Sequence, residues 1–273
     1  MLEDYITFVI SILIPSNAHN MCELGGMIME FIDKKNTEKK LNSSNKEDPK
    51  KEELKNGPSE EVANLKEVGV MTVAHPDERI QILPIIGQIE GHSISNPQTK
   101  TTKYEHVIPQ LIAMERDEKV KGILVVLNTI GGDVEAGLAI AEMIASLSKP
   151  TVSIVIGGGH SIGVPLATSS DYSFISPTAT MIVHPIRMNG FVIGVNQTFE
   201  YFKKMQDRIV EFVVRTSKIS DENFRNLMSQ TDELLNDIGT ILIGKQAVEC
   251  GLIDEVGGIR QALDKLNGLI DQE

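Results

Sequence analysis

Two glycine-rich turns, each following an apolar strand, hold the residues best suited to chemistry. The first reads Asn128-Thr129-Ile130-Gly131-Gly132-Asp133, the second Gly157-Gly158-Gly159-His160-Ser161-Ile162-Gly163. Gly159 to Gly163 fits G-x-S-x-G, the sharp strand-to-helix elbow that exposes a serine hydroxyl. A serine is a weak nucleophile at neutral pH and needs a base to take its proton. His184 follows the apolar run Thr180 to Val183 and precedes Pro185, so it stands at a strand end where such a base could act. The base in turn needs a carboxylate to orient it. Asp221, Asp232, Asp237 and Asp254 lie downstream, and spacing does not choose among them. Glycines let a backbone approach a ligand and bare its N–H groups. Each segment is also predicted to open a helix, whose first N–H groups favour developing negative charge. Together the two segments are candidates for an oxyanion hole, the feature acyl chemistry most needs.

The elements that would position these groups alternate along the chain. Ile82 to Ile86 reads as a short buried strand, and Lys103 to Arg116 as a helix with Val107, Leu111 and Met114 on one face. Gly122 to Leu127 is a continuous apolar run, as expected of a parallel strand covered on both faces. Val134 to Leu147 reads as a helix that Pro150 closes off. Val152 to Ile156 is a second apolar strand, a helix starts near Ser161, and Tyr172 to Ile175 and Thr180 to Val183 are strands. Such alternation predicts βαβ units and a parallel sheet, whose active crevice lies beyond the carboxyl ends of its strands. A long helix follows over Gln197 to Thr216, with Phe199, Phe202, Met205, Ile209, Phe212 and Val213 at spacings of three and four. That face fits either core packing or contact with another subunit. A last helix spans Ile259 to Ile270.

Composition narrows the function classes. The chain has 273 residues, 41% hydrophobic and 23% charged, with a formal net charge of −12. That length carries one large domain plus an extension, and that charge argues against nucleic acid or an anionic membrane as the main partner. The two cysteines, Cys22 and Cys250, form no CxxC pair, which fits a reducing cytosol and neither a disulfide framework nor a cysteine zinc site. No HExxH, GxxxxGK[ST] or strand-linked GxGxxG motif occurs, so no metal, nucleotide or other cofactor is expected.

Residues 1–32 form an apolar leader, and 33–80 a charged linker. Tyr5 to Pro15 and Met27 to Ile32 are apolar, yet neither reaches the roughly 20 residues that span a bilayer. The acidic Glu3-Asp4 also sits where a signal peptide carries positive charge, so no firm membrane anchor is expected. Gly25-Gly26 can be encoded by GGAGGA, which resembles a ribosome-binding site ahead of Met29. On that reading translation starts at Met29; the competing reading is a membrane-surface anchor. Asp33 to Lys66 is rich in Lys, Glu, Asn, Ser and Pro, the composition of a disordered segment. The folded domain is expected over 81–273.

Across that domain the residues resemble the ClpP family of serine peptidases. The matching stretches run from Asn128 to Val134, Gly159 to Gly163, Met181 to Pro185 and Gly244 to Asp254, in the family's order and near its spacing. Lys100 to Glu105 and the block Gly131 to Val155 resemble most closely the family's translocation-enhancing (TepA) branch. The resemblance implies a ClpP/crotonase-like α/β fold of stacked ββα units with a projecting handle helix, here Gln197 to Thr216, which joins rings face to face. It implies a catalytic triad of Ser161, His184 and Asp237, the last favoured over Asp232. It further implies an oxyanion hole made by the backbone N–H groups of Gly132 and Ile162. A homo-oligomeric ring acting on peptides or unstructured segments, such as cleaved signal peptides, follows from the same resemblance. Its location would be cytoplasmic, at or near the membrane surface.

Departures from the family pattern shape the expectations. His160 stands where the family has a small residue; it is either a second polar group at the site or a side chain pointing along the helix into solvent, the second being the expectation. Pro185 replaces the usual glutamine after His184. The axial loop that meets an AAA+ unfoldase is not recognisable before Gln81, so the sequence does not support that ATPase partner. Three rivals remain in view: a crotonase-type acyl-CoA enzyme, a non-catalytic scaffold, and a serine–lysine signal-peptide peptidase. For the last, Lys203, Lys204 and Lys218 fall in no recognisable motif.

Overall fold

The computed structural model describes residues 79–187, 194–231 and 238–272. The leader, the linker as far as residue 78, and both Asp232 and Asp237 lie outside the described residues. In chain order come β1 (Ile80–Glu90), β2 (Thr101–Lys103), α1 (Tyr104–Arg116), β3 (Gly122–Gly132), α2 (Val134–Ala145), β4 (Thr151–Gly159) and α3 (Gly163–Thr168). Then follow β5 (Tyr172–Ile175), β6 (Thr180–Val183), α4 (Val195–Thr216), α5 (Asp221–Ser229), β7 (Thr240–Ile243), α6 (Lys245–Glu249), β8 (Glu255–Val256) and α7 (Ile259–Ile270).

The parallel sheet expected from the alternation is present, in the order β2-β1-β3-β4-β5-β8. The apolar run Gly122 to Leu127 shows why. Ile123, Val125 and Leu127 point into one core with α1, α2, α3 and α4, while Leu124 points into a second core with Phe174, Ala262 and Leu266. Side chains of a strand alternate between faces, so an unbroken apolar stretch requires cover on both. Each fully buried Leu, Ile or Val contributes about 1.5–3 kcal/mol relative to exposure. Ser153 is the polar exception inside β4, and its hydroxyl donates to Ala167 O at 2.6 Å.

Two expectations are corrected at the ends of β3 and β4. Both glycine-rich runs, read as turns, begin as strand: β3 stays paired with β1 as far as Gly132, and β4 extends to Gly159. Register shifts between Gly87 and Gln88 and between Leu127 and Thr129 let the strands continue past the apolar run. The helix expected near Ser161 is present, starting at Gly163. The strand Thr180 to Val183 is not a further rung of the parallel sheet. It touches β4 through one parallel pair, Gly158 with Thr180, and pairs antiparallel with β7 from Thr180–Ile243 to Val183–Thr240. A small two-stranded layer is thus set against the end of β4.

Helix starts follow local capping chemistry. Asp133 Oδ1 accepts the Ala136 N–H at 2.8 Å to open α2, and Ser220 Oγ accepts the Asn223 N–H at 3.2 Å to open α5. The long α4 is divided along its length. Met205, Ile209, Val210, Phe212 and Val213 are buried, whereas Phe199 and Tyr201 near its start are 66% and 55% exposed. Among the described residues no helix is long and apolar enough to cross a membrane, and no group of three or more His, Cys, Asp or Glu could hold a metal ion.

Candidate active site

Ser161 occupies the link between β4 and α3 with φ of 58°, the one non-glycine residue with positive φ among those described. That left-handed conformation costs an L-residue about 1–2 kcal/mol, so the surroundings must impose it. They do so from three sides. The Ser161 N–H donates to Ile182 O of β6 at 2.8 Å, and the His160 N–H donates to Thr129 O of β3 at 3.1 Å. The Gly163 N–H then donates to His160 O at 2.8 Å, closing the turn. Both flanking glycines of the elbow are accounted for by packing. A Cβ at Gly163 would stand 2.8 Å from Thr129 Cγ2, and one at Gly159 3.3 Å from the Val155 methyls.

The β3 end is pressed against this turn. Gly131 has φ of 89°, and a Cβ there would come within 2.6 Å of Ser161 Cβ. The two glycine-rich segments are stitched together by side chains as well. Asn128 Oδ1 accepts the Gly158 N–H at 2.9 Å, while Thr129 Oγ1 donates to Gly87 O at 2.6 Å and accepts the Gly131 N–H at 3.1 Å. The Asp133 N–H is spent on Ile89 O at 3.0 Å. The Ile162 N–H, by contrast, makes no hydrogen bond among the described residues, and its side chain is clasped against Gly137 of α2. Since α3 has only six residues, its macrodipole is slight, and single N–H groups rather than a helix end face the site.

His184 follows β6 directly. Its Nδ1 lies 2.6 Å from Pro185 O, and because a carbonyl only accepts, Nδ1 carries the proton and the neutral ring keeps its lone pair on Nε2. Ser161 and His184 line one cavity of about 160 Å³, together with Gly132, Ile162, Val164, Ile209, Phe224 and Met228. Among the described residues no direct hydrogen bond joins the two, the looser arrangement common before substrate aligns such a pair.

The remaining sequence candidates separate. Asp254 is occupied elsewhere: one carboxylate oxygen accepts the Ser173 N–H and hydroxyl, both at 2.9 Å, and the other lies 2.7 Å from Lys218 Nζ. Asp221 pairs with Arg225 on the exposed face of α5 at 2.8 Å. Next to His184 stands Gly239, where a Cβ would come within 2.8 Å of His184 Cβ. His160 corrects an expectation, because its ring is half-buried rather than in solvent, with Nε2 2.8 Å from Thr180 Oγ1. Burial, with the charge of His184 second, holds it below the ordinary histidine range. The sequence reading missed Thr129 and Thr180. Thr129 lies within a motif already singled out, so its position was visible although its role was not.

A Clp protease family model matches residues 88–260. The translocation-enhancing protein TepA of Halalkalibacterium halodurans is 55% identical over 217 residues, covering 79% of this chain and 85% of that protein. An ATP-dependent Clp protease proteolytic subunit of Lactococcus lactis is 28% identical over 157 residues, covering 55% of this chain and 74% of the relative. A putative protease of Methanocaldococcus jannaschii is 28% identical over 205 residues, covering 66% of this chain and 65% of that one. The chain belongs to the Clp protease family, and its α/β fold is that family's.

Proposed function

We propose that this member of the Clp protease family is a serine endopeptidase that works through an acyl-enzyme on Ser161. One observation carries the reading: a serine forced into a left-handed turn shares a cavity with a histidine whose proton is held on Nδ1. In the proposed cycle His184 Nε2 takes the Ser161 proton as Oγ attacks the peptide carbonyl. The N–H groups of Ile162 and Gly132 receive the oxyanion. His184 then gives its proton to the leaving amine. Water attacks the ester, His184 taking and returning its proton, and the acid product leaves. Asp237 is the proposed carboxylate partner of the imidazolium, favoured over Asp232. Supporting that choice, Gly239, two residues beyond Asp237, abuts His184.

The apolar wall of Val164, Ile209, Phe224 and Met228 suits a substrate that presents an apolar side chain on a peptide or unstructured segment. Similarity to a translocation-enhancing protein supports a role beside presecretory protein translocation or signal-peptide turnover. The exposed aromatic start of α4 supports a homo-oligomeric ring assembled through that helix.

The test is labelling by a fluorophosphonate probe, which reports an activated serine without a known substrate. Wild type is expected to label, Ser161→Ala to lose labelling entirely, and His184→Ala to fall by about 10²–10⁴-fold. Labelling that survives Ser161→Ala would sink the assignment. A correctly assembled wild type that stays unlabelled would favour a scaffold.

A further inference from the structure

His160 is a second histidine built into the nucleophile turn. Its backbone is fixed on both sides, the N–H on Thr129 O and the carbonyl under the Gly163 N–H. Its ring crosses from the turn to Thr180, the first residue of β6. The ring also explains a glycine. A Cβ at Gly158 would stand 3.0 Å from His160 Cε1 and 3.1 Å from Nε2, so any side chain there would displace the imidazole. Three ties therefore join the nucleophile turn to the strand that leads to His184: the Gly158–Thr180 pair, the His160–Thr180 hydrogen bond, and the Ser161 N–H on Ile182 O. Of these, only the His160 tie is made by side chains, and only it can change with pH.

We infer, on the reading of Ser161 and His184 as nucleophile and base, that His160 is a positioning residue. Its neutral ring, bonded to Thr180, sets the Ser161 turn against the strand that carries His184. A charged His160 opposes the imidazolium that His184 must become. The segments packed around it, β3, β4, α3, β6 and β7, contain no ionisable side chain. The charge that acts on its ring among the described residues is that of His184. On the proposed reading Asp237 balances the imidazolium of His184, and those elements add no carboxylate for a second cation. Proton uptake by Nε2 of His184 during acylation therefore requires His160 to be neutral. The active form needs both rings deprotonated, and activity is lost on the acid side by two protons rather than one.

Two measurements on the full chain test this. Histidine C2-hydrogen exchange read by mass spectrometry gives the titration midpoint of His160 in any oligomer. Wild type is expected to show a midpoint below that of an ordinary histidine, rising in His184→Gln. A midpoint that His184→Gln leaves in place overturns the coupling, whether or not the protein is a peptidase. Fluorophosphonate labelling rates are then followed against pH in wild type, His160→Ala and His160→Gln. His160→Ala is expected to label about tenfold or more slowly at pH 8, since small displacements of a nucleophile carry penalties of that order. His160→Gln, a neutral group able to reach Thr180, should recover most of that rate. Its acid limb should have a one-proton slope where wild type has two. Equal rates in His160→Ala and wild type, or equal slopes in His160→Gln and wild type, overturn the positioning role. Labelling that persists in Ser161→Ala instead removes the peptidase reading, and the exchange result still decides the coupling.

Discussion

The two sides of the site are held by different means. On the serine side, Ser161 sits where two long strands end, and backbone hydrogen bonds to Thr129 and Ile182 fix its turn. On the histidine side, His184 emerges from a four-residue strand whose antiparallel partner, β7, is equally short. Ser161 is thus an outgrowth of the main sheet, while His184 hangs on a small layer joined to it by a few contacts. The contrast teaches that a rigid serine does not by itself make a working pair. On the proposed reading the small layer sets the distance between Ser161 and His184, so substitutions that move it would act without touching the nucleophile.

The largest effect should come from glycines on either side of that seam. Gly131→Ala places a Cβ 2.6 Å from Ser161 Cβ at φ of 89°, and Gly239→Ala places one against Val183 O, nearer still than its 2.8 Å from His184 Cβ, at φ of 138°. Each should cut the labelling rate by about 10²-fold or more. They should differ in stability. Gly131→Ala strains the main sheet and is expected to cost about 2–4 kcal/mol in a urea titration, Gly239→Ala about 1–2 kcal/mol. Equal stability losses would erase the distinction between the two layers.

Next comes Thr129→Val, which keeps the shape of a buried residue and removes its hydroxyl. The Gly131 N–H loses its acceptor and Gly87 O its donor. A loss of about 1–3 kcal/mol is expected, with labelling lowered less than in Gly131→Ala. Wild-type stability would show that neither bond supports the turn.

The smallest effect lies furthest from the seam. Arg208 forms two hydrogen bonds to Glu135, at 2.7 and 3.1 Å, and that contact holds the Glu135 carboxyl below the usual range. The stabilisation is present above the ordinary carboxylate range and is lost as pH falls through the lowered value. Both side chains are half-exposed, so Glu135→Gln should cost less than about 1 kcal/mol at pH 7. Its melting curve should converge on that of wild type in strong acid. A difference that persists there would assign the effect to packing.

Much of the main sheet was legible, and the small layer was mostly not. Tyr172–Ile175 and Ile259–Ile270 run as the residues indicate, because apolar composition and the Gly257-Gly258 break mark them. The glycine-rich ends of β3 and β4 looked like turns because strand pairing, not side-chain pattern, keeps them extended. Strand β6 was found, but its partner β7 was not. Thr240-Ile241-Leu242-Ile243 is too short for periodicity, and it is a strand because β6 lies beside it. The start of α5 carried a readable signal in Ser220, a capping residue ahead of two acidic ones. At the candidate site, the elbow around Ser161 and the place of His184 after a strand were legible as positions, and the structure brings both to one cavity. Asp221 and Asp254 could be set aside only when their actual partners, Arg225, Ser173 and Lys218, were seen.

The left-handed serine has one more consequence, for how this sequence could drift. Glycine adopts φ near +58° freely, so replacing Ser161 by Gly would relieve about 1–2 kcal/mol of backbone strain. A single mutational step would therefore make the chain more durable at the loss of its hydroxyl. A lineage using the fold only as architecture would have every inducement to take that step. On the peptidase reading, the hydroxyl of Ser161 is what such a step would forfeit, and a use for its oxygen is what would oppose it.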